Sequence, residues 1–278
     1  MPPSRRFSHW AGLNLGRPLV MGIVNVTPDS FSDGGRWRDP RDAIAAGVAM
    51  AQEGADIVDI GGESTRPGAV AISISEEQDR VLPVIQALAA EGICLSVDTR
   101  HAATMRIALQ SGARIVNDVS GLTHDAGAAA EVAGLGCPVV LMHMRGTPAT
   151  MSARAIYQDV VAEVRAELQA RVDAAIQAGI QPQQIAVDPG IGFAKWAEHS
   201  QIILRRLHDL ASLGFPVLVG VSRKAFIGAL SGEARADRRL GGSLAAGLFA
   251  LSRGASILRV HDVRETVQAL RVWRNLFE

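Results

Sequence analysis

The stretch Ile57–Val97 reads IVDIGGESTRPGAVAISISEEQDRVLPVIQALAAEGICLSV. It opens on a short β-branched apolar run, Ile57–Ile60, and closes on another, Ile93–Val97, as buried parallel strands do. Between them Ser75 and Gln78 have the spacing of a capping box. Val81, Ile85 and Leu88 then share one helical face, and Gly92 stands just before the second run, where helices commonly stop. The stretch therefore predicts strand, helix and parallel strand.

The same alternation continues on both sides. Further apolar runs occur at Leu19–Val26, Ile115–Val116, Pro138–Met142, Ile185–Val187, Pro216–Val221 and Ile257–Val260, which makes eight. Asp39-Pro40 reads as an N-cap followed by Pro at the first helical position, with Ile44, Val48 and Ala51 on one face after it. Ile156, Val160, Val164, Leu168 and Val172 recur at four-residue steps, and Val263, Val267 and Leu270 stripe a last helix. Gly54, Gly112, Gly179, Gly214 and Gly254 repeat the position of Gly92. Eight such units predict the α/β class and a single (β/α)8 TIM barrel, with its site at the C-terminal mouth of the strands. A doubly wound open sheet is the runner-up. It calls for a glycine fingerprint after the first strand, where Thr27–Gly35 instead reads TPDSFSDGG.

Composition narrows the function classes. The chain has 278 residues, 48% of them hydrophobic, and 28 basic residues balance 28 acidic ones. That balance gives no electrostatic footprint for nucleic acid or an anionic membrane, so any cationic work is local. Met1–Leu15 carries Arg5 and Arg6 but no apolar core of a signal peptide, and no apolar run, Ser243–Leu251 included, is long enough to span a bilayer. A cytoplasmic protein is expected. Cys94 and Cys137 read as reduced thiols, not as half of a metal site. Residues 1–14 are expected to form an N-terminal tail and residues 15–278 one barrel domain.

In such a barrel the chemistry sits at the C-terminal ends of the strands. Those ends carry Asn25, Asp59 with Glu63, Asp98, Asn117 with Asp118, His143, Asp188, Ser222 with Lys224, and Arg259 with His261. Asp59 and Asp118 could equally be helix caps. Strands three, four and six end in acceptors. Strands seven and eight end in cations, where this fold usually binds phosphate. The ligand expected has an amine-like donor edge and a phosphate-like group. Two long loops, Thr27–Arg38 and Glu63–Ile74, are rich in Gly, Pro and hydroxyls and read as lids or binding loops. Gly190-Ile191-Gly192 is expected to let the backbone turn closely around a ligand. His9, His101, His124, His199 and His208 read as surface or packing residues.

NVTPDSFSDGG at Asn25–Gly35, GGESTRPGA at Gly61–Ala69, SVDT at Ser96–Thr99, IVND at Ile115–Asp118, LMHM at Leu141–Met144, DPGIGF at Asp188–Phe193, VGVSRK at Val219–Lys224 and RVHDV at Arg259–Val263 together resemble dihydropteroate synthases. The resemblance runs from about Leu15 to the C-terminus. It implies condensation of 6-hydroxymethyl-7,8-dihydropterin diphosphate with 4-aminobenzoate, a magnesium ion, a homodimer, a place in folate synthesis and sulfonamide inhibition. It implies that Asp98, Asn117, Asp188, Lys224 and Arg259 hold the pterin, with Met142, Phe193 and Gly220 shaping its slot. By the same resemblance Asn25, Arg259 and His261 hold the diphosphate, and Asn25 also ligates magnesium. Phe31, Thr65, Arg66, Pro67 and Ser222 would surround the aminobenzoate, with Asp33 in the first loop. Asp98, Lys224, Arg259 and His261 are the expected catalytic group. A related barrel family that passes a methyl group from a folate to a corrinoid protein shares the pterin acceptors but should lack both loops and the diphosphate pair. A catalytically silent pterin-binding paralogue stays open. The family pattern departs at Ala194, where Gly is expected. A positive φ there would strain Ala by about 1 kcal/mol.

Overall fold

The computed structural model describes residues 7–27 and 40–277. Its eight parallel strands are β1 (Leu19–Asn25), β2 (Ile57–Gly61), β3 (Leu95–Asp98), β4 (Ile115–Asp118), β5 (Val139–Met142), β6 (Ile185–Asp188), β7 (Leu218–Val219) and β8 (Ile257–Val260). Each predicted run supplies one of them. β1 through β6 pair in chain order, and β8 lies between β7 and β1 with Ile257 opposite Leu19. A parallel bridge between Val187 and Val217 closes the ring between β6 and β7.

Helices α1 (Pro40–Gln52), α2 (Ile74–Ala90), α3 (Ala102–Gln110), α4 (Ala128–Leu135), α5 (Val160–Gln177), α6 (Ala197–Arg205), α7 (Leu207–Ala211), α8 (Ala225–Ser231), α9 (Leu240–Ser252) and α10 (Val263–Phe277) surround the ring. Pro40 opens α1 as expected, while Asp39 lies outside the described residues. The cap of α2 is Ser73 rather than Ser75: its Oγ accepts from the Glu76 amide at 3.1 Å. Starting the helix there puts Glu77 on the buried face beside Val81. The apolar stripe of α5 begins at Val160. Ile156 lies before the helix and is 76% exposed, because Asp159 stops the helix by accepting from the amides of Val161 and Ala162.

Strand side chains alternate between the helices and the barrel interior. Val20, Val58, Val97, Val116, Leu141 and Val187 face outward into the large core shared with the helices. Inward, Leu19, Met21, Ile57, Ile115, Val140, Ala186, Leu218 and Ile257 form a separate apolar cluster. A small hairpin, His9–Trp10 with Leu13–Asn14, caps this lower end. Its Trp10 is fully buried in the cluster and donates from Nε1 to Gln184 O at 2.9 Å. One pleat higher on the same inner face the chain places Asp59, Asp98, Asn117, Met142, Asp188, Gly220 and Arg259. No helix among the described residues is long and apolar enough to cross a membrane.

Candidate active site

The upper layer is a connected set of charges. Arg259, from β8, donates from Nε to Asp59 Oδ2 at 2.6 Å and from one terminal amine to Asp98 Oδ2 at 2.7 Å. Asn117 donates from Nδ2 to the same Asp59 oxygen at 2.9 Å, which leaves its carbonyl oxygen to act as an acceptor. Asp59 is fully buried, and its Oδ1 finds no hydrogen-bond partner among the described residues. Asp59 is thus part of this network and not a helix cap. Burial drives the Asp98 carboxyl up to about 7 against the opposing pull of Arg259, with Asp59 adding to the rise. Burial opposes the Arg259 charge, but Asp59 and Asp98 outweigh it and its pKa is raised. The acceptor and cation sides expected from the order of strand ends are therefore joined by an ion pair.

Asp188, from β6, is buried and pushed up to about 6, mainly by desolvation; the Gly190 amide donates to its Oδ1 at 2.7 Å and pulls the other way. Lys224 lies at the start of α8, its ammonium 4.2 Å from the centroid of the Phe193 ring. Burial first, then Arg259, lowers the ammonium to about 8 while Asp188 and Asp98 resist. His261 departs from the expected cation: desolvation, with Arg223 and Arg259 nearby, drops it to about 3, so it is neutral. Ser222 Oγ accepts from the His261 amide at 3.2 Å and lies 3.0 Å from Nδ1. The tautomer with its proton on Nε2 takes the Ser222 hydroxyl proton at Nδ1 and leaves Nε2–H to donate to a ligand. Asn25 ends β1, half-buried.

Met142 and Phe193 join Val119, Met144, Met151 and Ala194 in an apolar cluster at the mouth, and Gly220 lies beside Arg259 Cβ at 3.9 Å. A Cβ at Gly190 would stand 2.0 Å from His143 O, so the glycine lets the turn after β6 lie against the residue that follows β5. Asp118 is local: its carboxylate accepts from the amides of Ser120 and Leu122 and turns the chain after β4. The second loop is anchored by Glu63, which takes two 2.8 Å bonds from buried Arg100. Its Arg66 and Pro67 are exposed, Thr65 half-buried, and Arg66 is near enough to lower Lys224. Of the first loop only Thr27 is described; Phe31 and Asp33 lie outside the described residues. Two further groups were not read from sequence. Lys195 is buried against His143, which contacts Glu167 in α5 at 3.0 Å. Glu77 is fully buried against Thr104 and His101.

The model of the pterin-binding enzyme family matches residues 21–261. A dihydropteroate synthase of Synechocystis is 48% identical over 263 residues, covering 93% of this chain and 91% of that protein. The chain belongs to the dihydropteroate synthase family. Solved dihydropteroate synthases share the barrel. The Xanthomonas albilineans enzyme with 4-aminobenzoic acid is 50% identical, covers 96% of both chains and superposes with a TM-score of 0.90. The same organism's enzyme in complex with 7,8-dihydropteroate is 48% identical, covers 95% of both chains and has a TM-score of 0.87. In this member of the dihydropteroate synthase family, Ala194 adopts φ +48°, the left-handed region that favours glycine.

Proposed function

We propose that this chain condenses 6-hydroxymethyl-7,8-dihydropterin diphosphate with 4-aminobenzoate, giving 7,8-dihydropteroate and diphosphate. The observation that carries the reading is the upper layer of the barrel. Asp59, Asp98, Asn117 and Asp188 form an acceptor set beside Lys224, Arg259 and the neutral donor His261. Ionised Asp98 and Asp188, with the Asn117 carbonyl, accept from the amino and ring N–H groups of the pterin. Lys224 donates to its carbonyl side, and Phe193, Met142 and Gly220 bound its faces.

In the reaction the carbon–oxygen bond to diphosphate breaks, and its electron pair leaves with the diphosphate. The electron-rich dihydropterin delocalises the charge left on the methylene carbon, and nearby carboxylates favour that charge. The arylamine nitrogen supplies the new bond and then loses a proton. A weakly basic arylamine already has a free lone pair, so no Ser–His–Asp or Cys–His nucleophile is needed. Arg259, the Nε2–H of His261 and Asn25 face the leaving group. Arg66, Thr65, Pro67 and Ser222 border the aminobenzoate.

Magnesium belongs to the same proposal. Asn25 offers one hard oxygen, and among the described residues no group of three His, Cys, Asp or Glu could hold a metal. That donor set fits an ion held chiefly by substrate phosphate oxygens and water. Bound there, magnesium would neutralise the charge of the leaving diphosphate. A homodimer and a cytoplasmic location complete the reading. Exposed Leu230, Phe249 and Val272 on α8, α9 and α10 offer apolar surface to a second copy, and both cysteines are free.

A coupled diphosphate-release assay with both substrates tests the reaction. Lys224→Gln keeps length and a donor but loses the charge, so turnover should fall about 100-fold or more. Wild-type turnover in a folded Lys224→Gln protein would remove Lys224 from the mechanism.

A further inference from the structure

We infer that Lys195 is a positioning residue. By holding the backbone that carries Phe193, it fixes the ring on which the Lys224 ammonium rests, and so sets affinity for the pterin half of the substrate. The inference rests on the function proposed above.

Lys195 is 6% exposed, yet the hydrogen-bond partners of its Nζ among the described residues include no carboxylate. It donates to His143 Nδ1 at 2.8 Å, Phe193 O at 2.9 Å and His143 O at 3.3 Å, which uses all three protons. Accepting at Nδ1 places the imidazole proton on Nε2, which then donates to Glu167 Oε2 at 3.0 Å. Glu167 is bound by Arg145, and the Arg145 guanidinium stacks 4.1 Å over the Tyr157 ring. Tyr157 closes the circuit by donating from its hydroxyl to Ala194 O at 3.0 Å. The carbonyls of Phe193 and Ala194 are thus each held by a side chain from outside the pocket.

A structural purpose explains this poorly. Burial holds the pKa of the Lys195 ammonium well below its usual range, so a charge there is costly, and a Met of similar length would pack the same space without that cost. The geometry has a clearer outcome in the turn it restrains. Ala194 is in the left-handed region, and Gly190 just before it is pressed on His143 O. A turn with strained backbone relaxes unless its surroundings hold it. Relaxation would swing the Phe193 ring away from Lys224 while leaving Arg259, His261 and Asn25 untouched, because Arg259 stands on β8, His261 directly after it and Asn25 on β1. The pterin half and the diphosphate half of the site should therefore respond differently.

Calorimetric titration of Lys195→Met with a hydroxymethylpterin lacking diphosphate, and separately with inorganic diphosphate and magnesium, reads that difference. The pterin Kd should rise about tenfold, and the diphosphate Kd should stay within about twofold. In turnover, the KM for the pterin diphosphate should rise while kcat stays within about threefold. Tyr157→Phe removes only the hydroxyl on Ala194 O and should raise the pterin Kd about threefold. Equal weakening of both ligands overturns the inference, and so does an unchanged pterin Kd with a lowered melting temperature. If Lys195→Met does not fold, the two affinities of Tyr157→Phe decide on the same terms. A wild-type chain that binds the pterin but releases no diphosphate would sink the proposed reaction and leave the positioning role standing.

Discussion

The barrel interior has two layers made by the same strands, one pleat apart. In the lower layer Met21, Ile57, Ile115, Val140, Ala186, Leu218 and Ile257 pack on Trp10. In the upper layer the same strands present Asp59, Asn117, Met142, Asp188, Gly220 and Arg259. Depth is similar, since Ile57 and Asp59 are both fully buried. Packing alone would favour apolar residues in both, because burying ions costs more than their mutual attraction commonly returns. The boundary between the layers carries the mismatch: Asp59 Oδ1 and Ser96 Oγ are buried with no hydrogen-bond partner among the described residues. The lower layer holds the ring together, and the upper layer spends some of that stability on a ready-made set of donors and acceptors.

The widest contrast is expected from Arg259→Ala. It strands Asp59 and Asp98, so urea unfolding should show a loss of about 3–5 kcal/mol. Binding of the diphosphate substrate should weaken more than binding of the free pterin. A stability loss under about 1 kcal/mol would mean that the carboxylates are already solvated.

Ile57→Ala probes the lower layer on the same strand as Asp59. It should cost about 3 kcal/mol in stability with KM for both substrates unchanged. A tenfold rise in the pterin KM would show that the layers cannot be separated. Titration gives a finer comparison. Asp188 and Asp98, raised to about 6 and about 7, must be ionised to accept from the pterin. Lys224, lowered to about 8, must stay protonated to donate. Asp98 gains a proton below about pH 7 and Asp188 below about pH 6, the ammonium loses one above about pH 8, and kcat/KM should fall on both sides. A profile flat from pH 5 to 9 would contradict these assignments.

Ala194→Gly is the smallest effect. Relief of positive φ is worth about 1 kcal/mol, but the lost buried methyl and the added chain entropy of Gly are of similar size. Thermal unfolding should therefore shift by less than about 0.5 kcal/mol. A gain above that would show that the strain at φ +48° outweighs the packing.

The sequence made the strands legible because each is a short β-branched run with glycine before it, and it made the upper layer legible because polar residues end those runs. Helix phase was harder to read. Ser73 with Glu76 and Ser75 with Gln78 have the same spacing, and only the burial of Glu77 separates them. Ile156 kept the four-residue step but fell before the cap at Asp159. Charge partners were the least legible. Arg259 finds Asp59 across 200 positions, and Lys195 finds His143 across 52. Such pairs arise from ring closure and packing, which local patterns do not encode.

The Trp10 plug and the β1–β8 seam join what the ribosome makes early to what it makes late. Trp10 rests on Gln184, and Leu19 waits for Ile257. Until β8 emerges, the outer edge of β1 stays open, an apolar template for wrong pairing. The nascent chain must therefore pass through a stage with every strand but the last in hand and the ring still unsealed, and chaperones would have most to shield at that stage.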